Sequence, residues 1–288
     1  MYLLFAQHGW ADTHHSIAGL AQRIAADDAV ISAPNLGWWR TWLGMGERIA
    51  QVELDARQKL EQYPNLPVRI IGHSMGGLIW IELLTRYPQW RSRVHSLVVI
   101  GSPLGGSDLG RMFDPLRWVP LVARDLGQDR RSLARAIAAE IPTLSIASDL
   151  DGGSDGTVPI FCTQVPHARW VCLQGLTHAI LNRHPQVGES ILSFWQDPHI
   201  TPLDTAAAAL TKAVLYALPL TDCHPRDYGR ARTFHRFPEG HSLSLWSNPA
   251  GVLHVYLFDA EGSCLYGGYA GWRDRPAVLK ALRALVNP

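Results

Sequence analysis

The sequence predicts an α/β protein: a mostly parallel, doubly wound sheet with a lid-like insertion, followed by a small α+β module. Three observations predict it. Over the first two-thirds of the chain, short apolar runs alternate with amphipathic stretches of helical length, the pattern of a parallel sheet covered by helices. The pattern changes at Asp197-Pro198-His199-Ile200-Thr201-Pro202, a linker by composition. Finally, 288 residues that are 47% hydrophobic and 18% charged can bury about three-quarters of their unfolded surface, enough for one large or two smaller domains.

Taken in order, Tyr2 to Gln7 reads as a strand, Ser16 to Ala26 as a helix and Ala29 to Ala33 as a second strand. Gly46 to Tyr63 carries Ile49, Val52, Leu54, Ala56 and Leu60 among charges, at a spacing expected to give a helix one buried face, and Pro64 and Pro67 end it. Val68 to Gly72 is the next strand, Gly76 to Tyr87 a helix and Val94 to Gly101 a strand rich in Val, Leu and Ile. The sheet resumes at Thr143 to Ala147 and at Arg169 to Leu173, and a helix runs from Gln186 to Trp195. Residues 1–196 thus form the first domain, interrupted by the lid-like insertion at about 103–140. Residues 197–288 form the second, with a helix from Asp204 to Ala217, strand patterns at Ser242 to Trp246, Val252 to Phe258 and Ser263 to Tyr269, and a last helix from Pro276 to Val286.

Composition excludes several classes. With 26 Lys plus Arg against 25 Asp plus Glu, the chain lacks the cationic excess that offsets a row of phosphates, so no nucleic-acid partner is expected. No apolar run approaches the length of a membrane span and the first residues show no leader pattern, so a soluble, cytoplasmic protein is expected. The four cysteines, Cys162, Cys172, Cys223 and Cys264, are far apart and form no C-x-x-C pair, which fits idle thiols rather than a disulfide framework or zinc site.

The chemistry is carried by Gly72-His73-Ser74-Met75-Gly76-Gly77. It satisfies G-x-S-x-G after a strand and before a helix, the context in which a serine is held at the apex of a sharp turn. The start of that helix favours a developing oxyanion. A serine hydroxyl needs a base to take its proton and an acid to orient the base. His178, in the loop after the strand ending at Leu173, is the expected base, with His184 as fallback. Asp155, followed by Gly156-Thr157-Val158-Pro159, is the expected acid, with Asp149 and Asp151 as local alternatives. The oxygen-rich loop that holds these aspartates has a calcium site as its competing reading. Met75 and Trp10 are expected to supply the backbone donors of an oxyanion hole, while His8 and His73 are read as structural, His8 bracing the loop after the first strand and His73 pointing away from Ser74.

On these residues, together with His8-Gly9 after the first strand and Gly101-Ser102-Pro103-Leu104-Gly105-Gly106-Ser107 after the fourth, the chain resembles the α/β-hydrolase superfamily, in particular its small lipase and esterase members. The resemblance covers about residues 1–196. It implies a Ser-His-Asp triad, an acyl-enzyme intermediate and no organic cofactor; no metal is expected. The first strand of this sequence aligns with the third of larger members, so a minimal form of the fold without their two antiparallel edge strands is expected.

Trp38, Trp39 and Trp42 after the second strand, and Phe113 and Trp118 in the insertion, follow strand ends on the side where open α/β sheets bind ligands. As a group they are expected to bind a hydrophobic acyl chain. Arg226, Arg230, Arg232 and Arg236 interleave with aromatics but are diluted by Asp222, Asp227 and Glu239, so that stretch reads as a solvated, turn-rich connector. The second domain's role is open between oligomerisation and partner docking. The functional expectation is a serine hydrolase of carboxylic esters, acting on a small-molecule or lipid ester. The rivals are an acyltransferase using the same triad and a non-catalytic hydrolase-fold scaffold.

Overall fold

A computed structural model of the chain describes residues 1–38, 45–106 and 128–287. The chain divides into two compact units, Met1–Pro202 and Leu203–Pro288.

The first unit is built on six strands: β1 (Leu3–Gln7), β2 (Val30–Ser32), β3 (Val68–His73), β4 (Val94–Ile100), β5 (Thr143–Asp149) and β6 (Arg169–Gln174). They lie in the order β2-β1-β3-β4-β5-β6, and every neighbouring pair is parallel. The apolar runs are near-continuous because both faces are buried, alternate residues serving opposite cores. Leu3, Phe5, Ile70, Leu97 and Val99 pack with one set of helices, α2 (Met45–Gln62), α3 (Met75–Arg86) and α4 (Arg131–Ala138). Leu4, Ala6, Ile71, Val98 and Ile100 pack with Ile17 and Leu20 of α1 (His14–Ile24) and with Val187, Ile191 and Phe194 of α5 (Pro185–Gln196). This is the doubly wound arrangement, and the predicted boundaries lie within about two residues of those observed.

Helix α4 falls inside the segment read as a lid. Its Ala134, Ile137 and Ala138 are buried in the first core, so this stretch is core rather than cover. Residues 107–127 lie outside the described residues. The strand order reverses at β1: the chain leaves it for β2 on one side and returns to β3 on the other. At such a switch point the loops after two neighbouring strands part and leave a crevice at their C-terminal ends. Here those loops begin at His8 and Ser74.

The second unit holds α6 (Ala207–Tyr216), a five-stranded sheet and α7 (Arg275–Val286). Its strands are β7 (Thr221–Asp222), β8 (Arg232–Arg236), β9 (Ser242–Ser247), β10 (Leu253–Phe258) and β11 (Cys264–Ala270), in the order β7-β11-β10-β9-β8, all antiparallel. The stretch read as a connector therefore contains a strand. Arg232 and Arg236 are exposed at the two ends of this edge strand, where charge opposes pairing with another sheet. Inside the unit, the Tyr266 hydroxyl donates to the buried Asp222 carboxylate at 2.8 Å.

Among the described residues no helix is long and apolar enough to cross a membrane, no cysteine is in a disulfide, and no group of three or more His, Cys, Asp or Glu is placed to hold a metal.

Candidate active site

Ser74 stands between β3 and α3 with φ 53° and ψ −122°, a conformation that costs a non-glycine residue about 1–3 kcal/mol and persists only where its surroundings impose it. Its N–H donates to the Ile100 carbonyl at 2.8 Å and its carbonyl accepts from Gly77 N–H at 3.1 Å, so β4 and the first turn of α3 hold the elbow from both sides. The glycines answer to space. A Cβ on Gly72 would sit 2.5 Å from the Gly77 Cα, one on Gly76 would land on the Gln7 carbonyl oxygen, and one on Gly77 would land on Ser102 Oγ. Strand, loop and helix backbones thus approach at distances that side chains would forbid.

The loop after β1 crosses directly over this turn. A Cβ on Gly9 would stand 2.7 Å from Ser74 Cβ and 3.3 Å from Met75 N, so the loop backbone lies in contact with the serine and with the first N–H of α3. His8 fixes the loop. Its Nε2 accepts from Leu36 N–H at 3.0 Å and its Nδ1 donates to the Gly9 carbonyl at 2.9 Å, an assignment of the ring proton that follows from the partners. Burial lowers its pKa, in keeping with the neutral ring these bonds require. Trp10 follows, half-buried against the first core, then Ala11 at φ 51°.

The acidic loop after β5 separates its three carboxylates by role. Asp149 Oδ1 accepts from Gly152 and Gly153 N–H at 2.7 and 2.8 Å. Asp151 accepts from the Ser154 N–H and hydroxyl, each at 2.9 Å. Both shape turns. Asp155, only 2% exposed, accepts Thr157 and Val158 N–H on Oδ1 at 3.0 and 2.7 Å, while its Oδ2 lies 2.6 Å from His178 Nδ1. The Asp155 carbonyl also accepts His178 N–H at 2.9 Å. A carboxylate accepts only, so Nδ1 carries the hydrogen and Nε2 is left as the basic nitrogen.

His178 opens the single helical turn His178–Leu181 after the loop that follows β6. Gly101, at φ 54°, makes room for it: a Cβ there would lie 3.2 Å from both Nδ1 and Cε1 of the ring. His73 reaches the same histidine. Its ring centroid is 4.9 Å from that of His178 and its Nε2 is 3.1 Å from the His178 carbonyl oxygen. His184 instead occupies the N-cap position of α5, without a side-chain capping bond.

The structure thus gathers the Ser74 elbow, Met75, the Gly9-Trp10 loop, Asp155 and His178 at the C-terminal edge of the sheet. Of the residues read as lining an acyl pocket, Trp38 is partly exposed, whereas Trp39, Trp42, Phe113 and Trp118 lie outside the described residues. Asp12 and Asn182 carry no signal in the sequence. Asn182 Nδ2 donates to Asp12 Oδ2 at 2.7 Å across 170 positions, a pairing with no local signature.

No family model and no curated protein matches the chain. Among solved structures it is similar to the metagenome-derived lipolytic enzymes LipS and LipT, with a TM-score of 0.51 at 17% identity, covering 68% of this chain and 93% of that one. It is also similar to phospholipase PlaB from Legionella pneumophila in complex with thio-NAD, with a TM-score of 0.53 at 11% identity, covering 95% of this chain and 90% of that one. At such identities the likeness speaks to fold alone. Six parallel strands in this order, flanked on both faces by helices and met by these structural neighbours, give the chain the α/β-hydrolase fold.

Proposed function

We propose that the protein is a serine hydrolase of carboxylic esters, with a hydrophobic acyl group as its preferred cargo. The observation that carries the reading is the 2.6 Å bond between Asp155 Oδ2 and His178 Nδ1, taken with a serine held in strained backbone at the end of β3. It is supported by the lipolytic and phospholipase neighbours. Ser74 Oγ attacks the ester carbonyl and its proton passes to His178 Nε2. Asp155 holds the ring in the required tautomer and stabilises the imidazolium. The N–H groups of Met75 and Trp10 receive the oxyanion, at the start of α3 and in the loop opposite. Protonated His178 then gives its proton to the leaving alcohol, the acyl group stays on Ser74, and water activated by the same histidine releases it as the acid.

A fluorophosphonate probe tests the nucleophile. Labelling of the wild type that is lost in Ser74→Ala is expected, and an unlabelled wild type would indicate a non-catalytic scaffold. A p-nitrophenyl ester series of increasing acyl length, run with and without an added alcohol acceptor, then reads acyl preference. It also separates hydrolysis from acyl transfer.

A further inference from the structure

Three loops of the candidate active site are joined by polar side chains that the proposed chemistry leaves unused. His73, the last residue of β3, is buried. Its Nε2 faces the His178 carbonyl oxygen at 3.1 Å. A carbonyl only accepts, so this nitrogen carries the hydrogen and Nδ1 is bare. Nδ1 has no hydrogen-bond partner among the described residues and faces Asp12 Oδ2 at 4.0 Å. Asp12 lies in the loop after β1, and the same oxygen accepts from Asn182, itself buried four residues after His178. The elbow, the oxyanion-side loop and the histidine loop therefore meet on His73, Asp12 and Asn182. Burying such groups costs free energy that an apolar side chain of similar size would avoid, so packing alone does not account for them.

We propose that His73 is a positioning residue for His178: its N–H, bonded to the His178 carbonyl, sets the turn that aims His178 Nε2 at Ser74. The inference rests on the reading of Ser74, His178 and Asp155 as a triad. His73 is suited to the task because it is a donor without charge. The groups facing it are His178, His8 and Asp12, and burial together with the two histidines outweighs the bond to the His178 carbonyl, keeping its pKa well below the usual imidazole range. A permanent cation at this place would oppose the positive charge that His178 acquires in turnover.

The test compares full-length His73→Leu and His73→Gln with wild type and Ser74→Ala. Leu keeps bulk and loses the donor, whereas Gln keeps an N–H. On a p-nitrophenyl ester, His73→Leu is expected to lower kcat about 10²-fold, the loss typical of a reacting group displaced by about 1 Å, with KM within about twofold. His73→Gln should recover at least about tenfold of that loss. Independently of turnover, the far-downfield proton NMR resonance of His178 Nδ1–H, assigned by its absence from His178→Ala, should shift or broaden in Leu and return in Gln. Equal kcat in the two variants, or an unmoved resonance in His73→Leu, overturns the proposal. If His73→Leu does not fold, His73→Met, which likewise lacks an N–H, is read the same way, and an unmoved resonance there overturns the proposal as well. Full activity in Ser74→Ala would overturn the triad reading instead, leaving the resonance comparison to judge His73 by itself.

Discussion

The two units spend backbone strain differently. In the first, among the described residues, positive φ at non-glycine positions occurs at Ala11, Ser74 and His167, and the first two flank the candidate active site. In the second unit, among the described residues, positive φ occurs at Gly240, Gly251 and Gly262. Those glycines sit in the connections β8–β9, β9–β10 and β10–β11, where tight reversals call for φ > 0 and glycine adopts it without a steric cost. Strain in the first unit is held in place by a parallel sheet buried on both faces, with side chains and backbone fitted around one turn. In the second, turn chemistry relieves it. The contrast separates a region where packing around one turn imposes strain from one whose turns follow from strand pairing.

The comparison can be broken most sharply at the histidine. His178→Ala is expected to lower kcat on any accepted ester by at least about 10³-fold with the fold intact, measured by steady-state kinetics beside thermal unfolding. A loss below about tenfold would move the base to His184. Next in size is a pair of glycine substitutions. Gly76→Ala drives a methyl group into the Gln7 carbonyl and within 2.8 Å of the His8 carbonyl, backbone atoms that cannot step aside, so a loss of about 2–3 kcal/mol is expected. Gly262→Ala meets nothing within 4 Å and is strained only by its φ of 88°, which costs about 1–2 kcal/mol. Urea midpoints of the two variants measure the difference, and equal losses would remove the distinction between the units.

The smallest effect is one of pH. His8 and His73 have pKa values lowered chiefly by burial. The unfolded chain binds protons on them below about pH 6.5, where the folded chain does not, so folding is destabilised as pH falls through that range. Each contributes a slope of up to about 1.4 kcal/mol per pH unit there and almost none above about pH 7.5. Urea unfolding at about pH 5, 6 and 7.5 reads the slope, and His73→Gln should flatten it.

Most of the first sheet could be read directly because strands buried on both faces have no polar alternation to disguise them, as in Val94 to Ile100. The edge strand Arg232–Arg236 escaped because one flank is solvent and its sequence, Arg-Thr-Phe-His-Arg, carries charge where a central strand would carry Val or Ile. Helix α4 escaped because it follows a long stretch in which turn residues and apolar residues are mixed without a clear period, and its apolar face of Ala134, Ile137 and Ala138 is short. Within the candidate site, the serine was legible because glycines two before and two and three after it already imply a close-packed elbow. The three aspartates of one loop were not equivalent, yet nothing local ranks them. Only the fold shows Asp155 turned toward His178, with Asp149 and Asp151 turned to their own loop.

By itself the sequence determined what depends on neighbours along the chain and on composition: the alternation of strand and helix, the turn at Ser74 and the near balance of acidic and basic residues. These follow from side-chain periodicity, backbone sterics and net charge, all of short range in sequence. The tertiary structure decided which loops meet. Asp155 with His178, and Asp12 with Asn182 beside His73, are pairings between distant segments, set by the strand order that brings their loops to one edge. Such contacts gain their energy only after the sheet has paid the entropy of closing the chain between them, and so they leave no local pattern to read.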